Sequence, residues 1–273
     1  MYEKKIAIIG MGFVGSAVSY GFNHPFIKQQ HIDPKLGTDI IDIDDDTDYI
    51  FVCVPTPMDD FSIVREVMEE LFSNDFPAVI ILKSTVPPNI IEEMIHPDMV
   101  YNPEFLTEKS AAEQFINPNF HILGGAPDAV EDTIELYTNY SLCNPAPFFN
   151  MTAEEASIVK YTINSFLATK VTFFNQMYDF CKQWQANPSI VFNAVGADPR
   201  IGHGHTKVPG FDNKKGFGGA CFPKDTKAIT DIDGKGVLSL IEHAIEVNNE
   251  YRAQYERDDR EKEQNIVYFP KEV

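Results

Sequence analysis

The sequence has few cysteines, few basic residues and no long apolar run, and each shortage excludes a class of protein. The four cysteines, Cys53, Cys143, Cys181 and Cys221, are widely spaced and form no CxxC pair. Neither a zinc site, nor any other metal site, nor a disulfide scaffold is therefore predicted. No apolar stretch reaches the length of a membrane span, and no charged and then apolar leader opens the chain. We therefore expect a cytoplasmic protein that does not bind a membrane.

Basic residues are outnumbered, with 22 Lys and Arg against 41 Asp and Glu and a formal net charge of −19. This balance argues against nucleic-acid binding, which needs a basic face. The acidic excess lies partly in residues 42–48 and 258–263, which we expect to be a solvated loop and tail. An anionic substrate would need local positive charge, and the candidates are Lys160, Arg200, Lys207, Lys214, Lys215 and Lys224.

A glycine motif follows the first apolar segment of the chain. Residues 6–9 are strand-like and lead into Gly10, Gly12 and Gly15 of a GxGxxG pattern, which opens a helix-compatible segment. Such a loop places the pyrophosphate of a dinucleotide at a helix N-terminus. Asp33 follows Gly15 by 18 positions, where an acid can bind the ribose hydroxyls of NAD and repel the 2′-phosphate of NADP. The alternative is a glycine turn in a sheet protein that binds no dinucleotide.

Apolar segments of strand type alternate with helix-compatible stretches over about residues 1–150. This alternation predicts an α/β fold with a doubly wound, largely parallel sheet. The predicted strands are residues 6–9, 49–54, 78–82, 99–101 and 121–123, with a further strand of poor composition at 30–33. The segments 54–57, 84–88 and 102–106 follow strands, so they should line one crevice at the carboxyl edge of the sheet. The predicted cofactor-binding residues are Gly10, Gly12, Phe13, Val14, Gly15, Asp33, Val54, Pro55, Thr56, Thr85 and Glu104.

A long helix is predicted from about residue 152 to 185. Thr152 and Glu155 form a capping-box pattern, and Lys160 and Asn164 are four positions apart, so they share one helical face. Two polar residues at this spacing are usually a solvated face. Apolar residues lie around much of the helix, namely Ile158, Val159, Ile163, Phe166, Leu167, Phe173, Phe174 and Trp184. Such a helix needs burial on more than one side, so we expect a homodimer.

The stretch 216–225, GFGGACFPKD, places one cysteine among glycines with Lys224 and Asp225 close behind. Glycines let the backbone approach a ligand, and a thiol near positive charge and bare amides can ionise to the nucleophilic thiolate. Cys221 is therefore a candidate nucleophile. The alternative is a turn that carries an incidental thiol.

The sequence divides into three predicted parts. We predict an NAD-binding domain at 1–150, a helical domain at 151–257 and a charged, frayed tail at 258–273.

Taken together, these motifs resemble the UDP-glucose/GDP-mannose dehydrogenase family over residues 4–257. The motifs occur in a consistent order and include GMGFVG, VPTP, STVPP, NPEFL, DPRIG and GGACFPKD. The resemblance implies a Rossmann domain followed by an all-α dimerisation domain, with NAD as cofactor. It also implies the four-electron oxidation of a nucleotide sugar, UDP-glucose to UDP-glucuronate, with two NAD reduced.

The resemblance also implies catalytic roles for individual residues. Cys221 would attack an aldehyde to give a thiohemiacetal, and a second oxidation would leave a thioester. Lys160 would stabilise the developing oxyanion, with Asn164 assisting by a hydrogen bond. Asp225 would orient a water molecule, and Glu104 would act as the base for thioester hydrolysis.

The resemblance assigns further residues to binding. Thr85 would hold a water molecule or the cofactor, and Phe105 and Leu106 would contact the sugar. Arg200 resembles an arginine that reaches the substrate of the neighbouring subunit. The predicted substrate-binding residues are Phe105, Leu106, Lys160, Asn164, Arg200, Gly218 and Gly219.

Two departures from the family pattern concern the residues that would hold the substrate. Family members usually carry a third domain that covers the nucleotide, and this sequence ends after the helix that would lead to it, so we expect part of the substrate grip to be absent. Phe120 stands where the family has an arginine, and the polar insertion at 212–215 could replace phosphate contacts.

Two other hypotheses about function stay open. One is a hydroxyacid-type dehydrogenase that transfers a single hydride, and the other is a non-catalytic NAD-binding module that partners a full-length enzyme.

Overall fold

The computed structural model describes residues 2–269, and the chain divides into two compact units. The first, called the sheet unit, comprises the chain up to Thr56 together with Asp60–Lys160. The second, called the helical unit, comprises Pro57–Asp59 and the chain from Tyr161 onward. Within residues 2–269 no helix is long and apolar enough to cross a membrane, and no cluster of three metal-ligating side chains occurs.

The sheet unit is built on a seven-stranded, mostly parallel sheet, which confirms the predicted α/β fold. The strands lie in the order β2-β1-β3-β4-β5-β6-β7, with β6 antiparallel to β5 and the other neighbours parallel. Their bounds are β1 Lys4–Ile9, β2 Ile27–Ile32, β3 Tyr49–Val52, β4 Val79–Leu82, β5 Met99–Tyr101, β6 His121–Gly125 and β7 Phe148–Met151.

Helices cover both faces of this sheet, which explains why its central strands are apolar at every position. In β3, Ile50 and Val52 pack on one face, while Tyr49 and Phe51 pack on the other. Side chains of α2 and α3 complete the first cluster, and side chains of α1, α4 and α5 complete the second. The helix bounds are α1 Phe13–Gly21, α2 Ser62–Asn74, α3 Pro88–Glu93, α4 Ala111–Ile116 and α5 Pro127–Tyr140.

The strand order reverses between β1 and β3, because the chain passes from β1 to β2 on one side and then to β3 on the other. In open parallel sheets ligands bind at such a reversal, beyond the carboxyl ends of the strands. The expected second strand is present as β2 despite its polar composition, and Asp33 directly follows it.

The edge strand β7 is not among the strands predicted from the sequence. Its residues are only half-buried or exposed, so their pattern lacks the apolar run that identified the central strands. The Phe148 ring stacks on His121 of β6 with the ring centroids 4.6 Å apart. Contacts across the sheet therefore fix this strand.

The long helix of the chain, α6, runs over Ala153–Gln183. It begins with the predicted capping box, since the Glu155 backbone N–H donates to Thr152 Oγ1 at 3.2 Å and the Thr152 N–H donates to Glu155 at 2.9 Å. In the helical unit, Phe174 and Cys181 of α6 pack against Phe192. The other helices there are α7 Pro188–Gly196, α8 Phe222–Asp231, α9 Ser239–Arg252 and α10 Asp259–Glu263.

The prediction of a frayed tail is wrong for residues 258–269. Asp258 and Glu261 form a capping box that starts α10, and both Glu261 and Ile266 are fully buried. Burial and hydrogen bonds to the rest of the helical unit hold this segment, and a run of charges in the sequence does not reveal them. Residues 270–273 of the predicted tail lie outside the described residues.

Candidate active site

The glycine loop after β1 has the geometry that a dinucleotide requires. Gly10 adopts φ +86°, and a Cβ there would lie 2.7 Å from the Cys53 carbonyl oxygen. A Cβ at Gly15 would collide with the Gly10 carbonyl oxygen, so this glycine permits the close helix–strand packing. The space beside Gly12 is open within 4 Å, and α1 begins at Phe13, followed by Val14. Backbone N–H groups at a helix N-terminus, with no side chain in front of them, can bind a pyrophosphate.

Asp33 lies beside this loop with its carboxylate already oriented. One oxygen accepts the Met11 N–H at 2.7 Å, and the other accepts the Lys35 N–H at 2.8 Å. These two backbone hydrogen bonds lower the pKa of Asp33 below its ordinary value. The residue is therefore a fixed anion beside the glycine loop, and its contact with a ribose diol stays a prediction.

Three predicted loops leave the carboxyl ends of neighbouring parallel strands. Residues 54–56, that is Val54, Pro55 and Thr56, follow β3, the segment with Thr85 follows β4, and the segment with Glu104 follows β5. The Ser84 hydroxyl donates to the Val54 carbonyl at 2.7 Å, which joins the first two loops. Thr85 is buried.

Lys160 and Glu104 meet as a buried ion pair within the sheet unit. The Lys160 ammonium lies 3.3 Å from Glu104 Oε1, and their side chains are 3% and 7% exposed. It also donates to the Glu104 backbone carbonyl and lies 5.0 Å from the centre of the Phe105 ring. The second Glu104 oxygen accepts the Leu106 N–H at 2.5 Å. Four of the predicted site residues are thus brought together.

A buried network behind this pair is missing from the sequence-based site. Lys83 donates to the Asn102 carbonyl at 3.0 Å and to its side-chain oxygen at 2.8 Å, and the Tyr137 hydroxyl donates to the same side-chain oxygen at 2.7 Å. Burial lowers the pKa of Lys83 to about 8. Because Asn102 begins the NPEFL motif, this network fixes the start of the loop that carries Glu104. The sequence feature that could have identified Lys83 as a site residue is its position directly before the STVPP motif.

In the helical unit, Asn164 and Asp225 form a buried polar cluster. The Asn164 amide donates to Asp225 Oδ2 at 2.6 Å, and Lys224 lies 2.7 Å from Asp225 Oδ1. The Asp225 side chain is 1% exposed. Asn164 stands one turn after Lys160 on α6. The sequence-based site assigned no catalytic or binding role to Lys224, although it had counted it as a source of local positive charge.

Cys221 stands at the N-cap position of α8, directly before Phe222, and is partly exposed. All four cysteines are described, and none is in a disulfide. The N-terminus of a helix carries partial positive charge, which stabilises an anion placed there. This is a setting in which a cysteine can act as a thiolate nucleophile.

The remaining predicted substrate residues have different surroundings. Arg200 is 87% exposed along its side chain and binds Asp198, two residues before it, at 2.6 Å. The Gly219 N–H donates to Glu261 at 3.1 Å, and a Cβ at Gly218 would collide with the Arg252 guanidinium. The sequence-based site missed Glu261 and Arg252, because both lie far along the chain from the glycine loop.

Comparisons with known proteins agree with the motifs. The UDP-glucose/GDP-mannose dehydrogenase family matches in two parts, its NAD binding domain at residues 27–141 and its central domain at residues 154–250. The chain belongs to this family. NAD is therefore its cofactor, and the glycine loop and Asp33 fit that molecule.

The chain is also similar to curated proteins that are named UDP-glucose 6-dehydrogenase. UDP-glucose 6-dehydrogenase TuaD of Bacillus subtilis is 34% identical over 228 residues, which are 76% of this chain and 47% of that enzyme. UDP-glucose 6-dehydrogenase AglM of Haloferax volcanii is 33% identical over 232 residues, 75% of this chain and 53% of that enzyme. The chain thus spans about half the length of the curated relatives it matches.

Solved structures show the same fold. A UDP-glucose dehydrogenase from Pyrobaculum islandicum has a TM-score of 0.73 at 25% identity, over 91% of this chain and 68% of that chain. A UDP-D-ManNAc dehydrogenase from Pyrococcus horikoshii has a TM-score of 0.77 at 20% identity, over 92% and 69%. The second likeness concerns the fold alone.

Proposed function

We propose that this chain oxidises the primary alcohol of a nucleotide sugar, with UDP-glucose as substrate and UDP-glucuronate as product. The family and its NAD-binding domain support an NAD-dependent oxidoreductase. The observation that carries the proposal is the placement of Cys221 at the N-terminus of α8, whose first turn carries Asp225 hydrogen-bonded to Asn164. An enzyme that transfers a single hydride needs no such thiol.

Cys221 is the proposed nucleophile. The primary alcohol is first oxidised to an aldehyde. The Cys221 sulfur then forms a bond to the aldehyde carbon, the C=O double bond opens, and its oxygen takes up the thiol proton to become the hydroxyl of a thiohemiacetal. Oxidation at that carbon gives a thioester, and water then releases the carboxylate and restores the thiol. NAD, when bound, supplies the hydride acceptor for both oxidations.

The polar residues would stabilise charge and move protons around that carbon. Lys160 supplies a positive charge from a buried position, which favours an oxyanion more strongly than the same charge in water. Glu104 is the proposed base for thioester hydrolysis, and its hydrogen bonds to Lys160 and Leu106 fix its orientation. Asn164 and Asp225 would orient the hydrolytic water, and Thr85 would hold a water molecule or the cofactor.

The proposal is tested by counting NADH released per product with a panel of nucleotide sugars. Two NADH for each uronic acid formed would support the four-electron reaction with that sugar. One NADH per product would indicate a dehydrogenase that transfers a single hydride. No turnover by a chain that binds NAD would favour a binding module instead.

We also propose a homodimer formed through α6. Phe166, Phe173, Phe180 and Trp184 are 65%, 54%, 50% and 72% exposed, whereas Phe174, next to Phe173 in sequence, is buried. A contiguous exposed stripe of aromatic rings is typical of a protein–protein contact, and a two-fold dimer is the commonest assembly.

Light scattering tests this assembly. A mass near 30.8 kDa at micromolar concentration, with full activity, would contradict the dimer. In a finer experiment, Arg200→Ala chains are mixed with Cys221→Ser chains. If Arg200 acts across the interface, mixed dimers regain one working site, and no recovery after verified subunit exchange would mean that it does not act across it.

A further inference from the structure

A fully buried ion pair lies beside the loop that leads to Cys221. The Arg252 guanidinium and Glu261 Oε1 are 2.5 Å apart, with side chains 1% and 0% exposed. Arg252 ends α9, and Glu261 lies in α10. Burying two charges carries a large desolvation cost, so such a pair is weak evidence for stability and calls for another explanation.

Glu261 connects this pair to the backbone of the cysteine loop. Its Oε1 accepts the Gly219 N–H at 3.1 Å and the Tyr268 hydroxyl at 2.7 Å, in addition to Arg252. Its Oε2 accepts the Asp258 N–H at 3.0 Å. A single carboxylate therefore joins the residue two positions before Cys221 to the segment 257–269.

Arg252 packs against the same loop as Glu261 does. It donates to Asp212 at 2.7 Å, and its guanidinium lies 5.5 Å from the centre of the Tyr268 ring. A Cβ at Gly218 would collide with both the Arg252 guanidinium and Glu261, so only a glycine lets the loop pack this closely.

Two buried asparagines hold the start of the loop. The Gly216 N–H donates to Asn175 at 3.0 Å, and the Phe217 N–H donates to Asn248 at 2.6 Å. The Asn248 amide returns a hydrogen bond to the Phe217 carbonyl at 3.0 Å. Three backbone N–H groups of 216–219 thus donate to buried side chains, and of these three the Gly219 N–H, bound to Glu261, is the closest to Cys221 along the chain.

The contacts of the pair favour its ionised form and shift the pKa values of Glu261 and Arg252 in opposite directions. Burial by itself would raise the pKa of Glu261, but hydrogen bonds from Tyr268 and from the Asp258 and Gly219 amides, with the charge of Arg252, lower it below its ordinary value. Burial opposes the charge of Arg252, and its contacts with Asp212, Tyr268 and Glu261 outweigh that effect and raise its pKa.

We propose that Glu261 and Arg252 are positioning residues for Cys221, which hold the 216–219 backbone so that the thiol stays at the N-terminus of α8. This rests on the proposed function in one respect, that Cys221 is the nucleophile. The residues act through the loop and need not touch the substrate. Glu261, in α10, then acts on the thiol through the Gly219 N–H.

The test measures Cys221 alkylation by iodoacetamide in the full chain, by peptide mass spectrometry, together with kcat and the Kd for NAD. Glu261→Ala should slow alkylation about fivefold or more, because the thiol loses its place at the helix N-terminus. It should lower kcat by about tenfold or more, as misplacement of a reacting group does, with the Kd for NAD unchanged. Glu261→Gln keeps an oxygen that can accept the Gly219 N–H, so it should restore most of both rates.

The matched control is Glu263→Ala, in the same helix at an exposed position, which should leave all three measurements unchanged. A folded Glu261→Ala chain with alkylation and kcat within about twofold of the parent would overturn the proposal, since one lost hydrogen bond to a charged group should exceed that. If Glu261→Ala does not fold, Tyr268→Phe decides, because it removes one donor to Glu261 and keeps the ring. Slower alkylation then supports the proposal, and an unchanged rate overturns it.

The two proposals can fail separately. Absence of NADH formation with every nucleotide sugar would remove the proposed function. The alkylation rates need no turnover, so they would still show whether Glu261 positions the thiol.

Discussion

In the sheet unit, the candidate site loops leave strands whose two faces are packed with apolar side chains, whereas in the helical unit the Cys221 loop is held by polar ones. The strand β3, which precedes Val54, is fully buried on both faces. The loop before Cys221 instead rests on Asn175, Asn248 and the Arg252–Glu261 pair.

This difference has consequences for how each region tolerates change. An apolar core accepts substitutions that keep its volume. After such substitutions, the loops at the ends of its strands should keep their conformation. A polar network depends on each donor and acceptor, because a buried group that loses its partner bears its full desolvation penalty. The cysteine loop should therefore be the more sensitive of the two to single polar substitutions.

The largest expected effect is on the rate of acid formation, which should depend on the helical unit, while NAD binding should depend on the sheet unit. Cys221→Ser should lower uronic acid formation by roughly 10⁴-fold or more, as loss of a nucleophile does. The Kd for NAD should stay unchanged, because the residues proposed to bind NAD lie in the sheet unit. The measurements are NADH release and NAD titration by fluorescence. Acid formation near the parent rate would refute a covalent role for this thiol.

The next effect compares the two buried ion pairs by urea unfolding. Arg252→Met and Lys160→Met should each lower the free energy of unfolding by about 3–5 kcal/mol, because each removes the closest cation of a buried carboxylate. The double variants Arg252→Met/Glu261→Gln and Lys160→Met/Glu104→Gln should recover most of that loss. If a double variant is no more stable than its single variant, the stranded charge is not the cause.

A change confined to the sheet unit should affect the cofactor alone. Asp33→Ala removes a carboxylate that is proposed to accept hydrogen bonds from the ribose diol. Such bonds to a charged group are worth about 1.5–3 kcal/mol, which is roughly ten- to hundredfold in the Kd for NAD. Discrimination against NADP should fall as well, because the repelling charge is gone. Asp45→Ala, at an exposed position of the same unit, is the control. An unchanged Kd for Asp33→Ala would remove this residue from the cofactor site.

The smallest expected effect concerns pH. Burial, and to a lesser extent the charge of Lys83, lowers the pKa of His121 from 6.5 to about 4. Below pH 6.5 His121 binds a proton in the unfolded chain but not in the folded chain, so the free energy of unfolding decreases as the pH falls. From pH 7.5 to 6 the loss should be about 1 kcal/mol. His121→Phe keeps a ring between Phe148 and Tyr137 and should remove this part of the pH dependence, measured by urea unfolding at both pH values.

The sequence predicted those parts of the molecule that short stretches of chain determine. The apolar run of β1, the glycine loop and the capping box of α6 each depend on neighbours within a few residues. Lys160 and Glu104 were both identified, but their direct pairing was not, because it joins residues 56 positions apart.

The parts that were missed depend on distant contacts. Glu261 lies in a run of charged residues that composition predicts to be solvated, but it is buried and accepts a hydrogen bond from Arg252. The strand β7 is half-exposed, and its place in the sheet follows from its pairing with β6. Local sequence carries no sign of either partner.

The aromatic stripe on α6 also has a geometric consequence. Phe166, Phe173 and Phe180 recur every seven residues, whereas two turns of a straight helix take 7.2, so the stripe drifts by about 20° per repeat. A second helix that touches all three rings cannot lie parallel to the axis and must cross it at a shallow angle, about 20°. The spacing of three side chains therefore sets the direction in which any helical neighbour on this face would have to run.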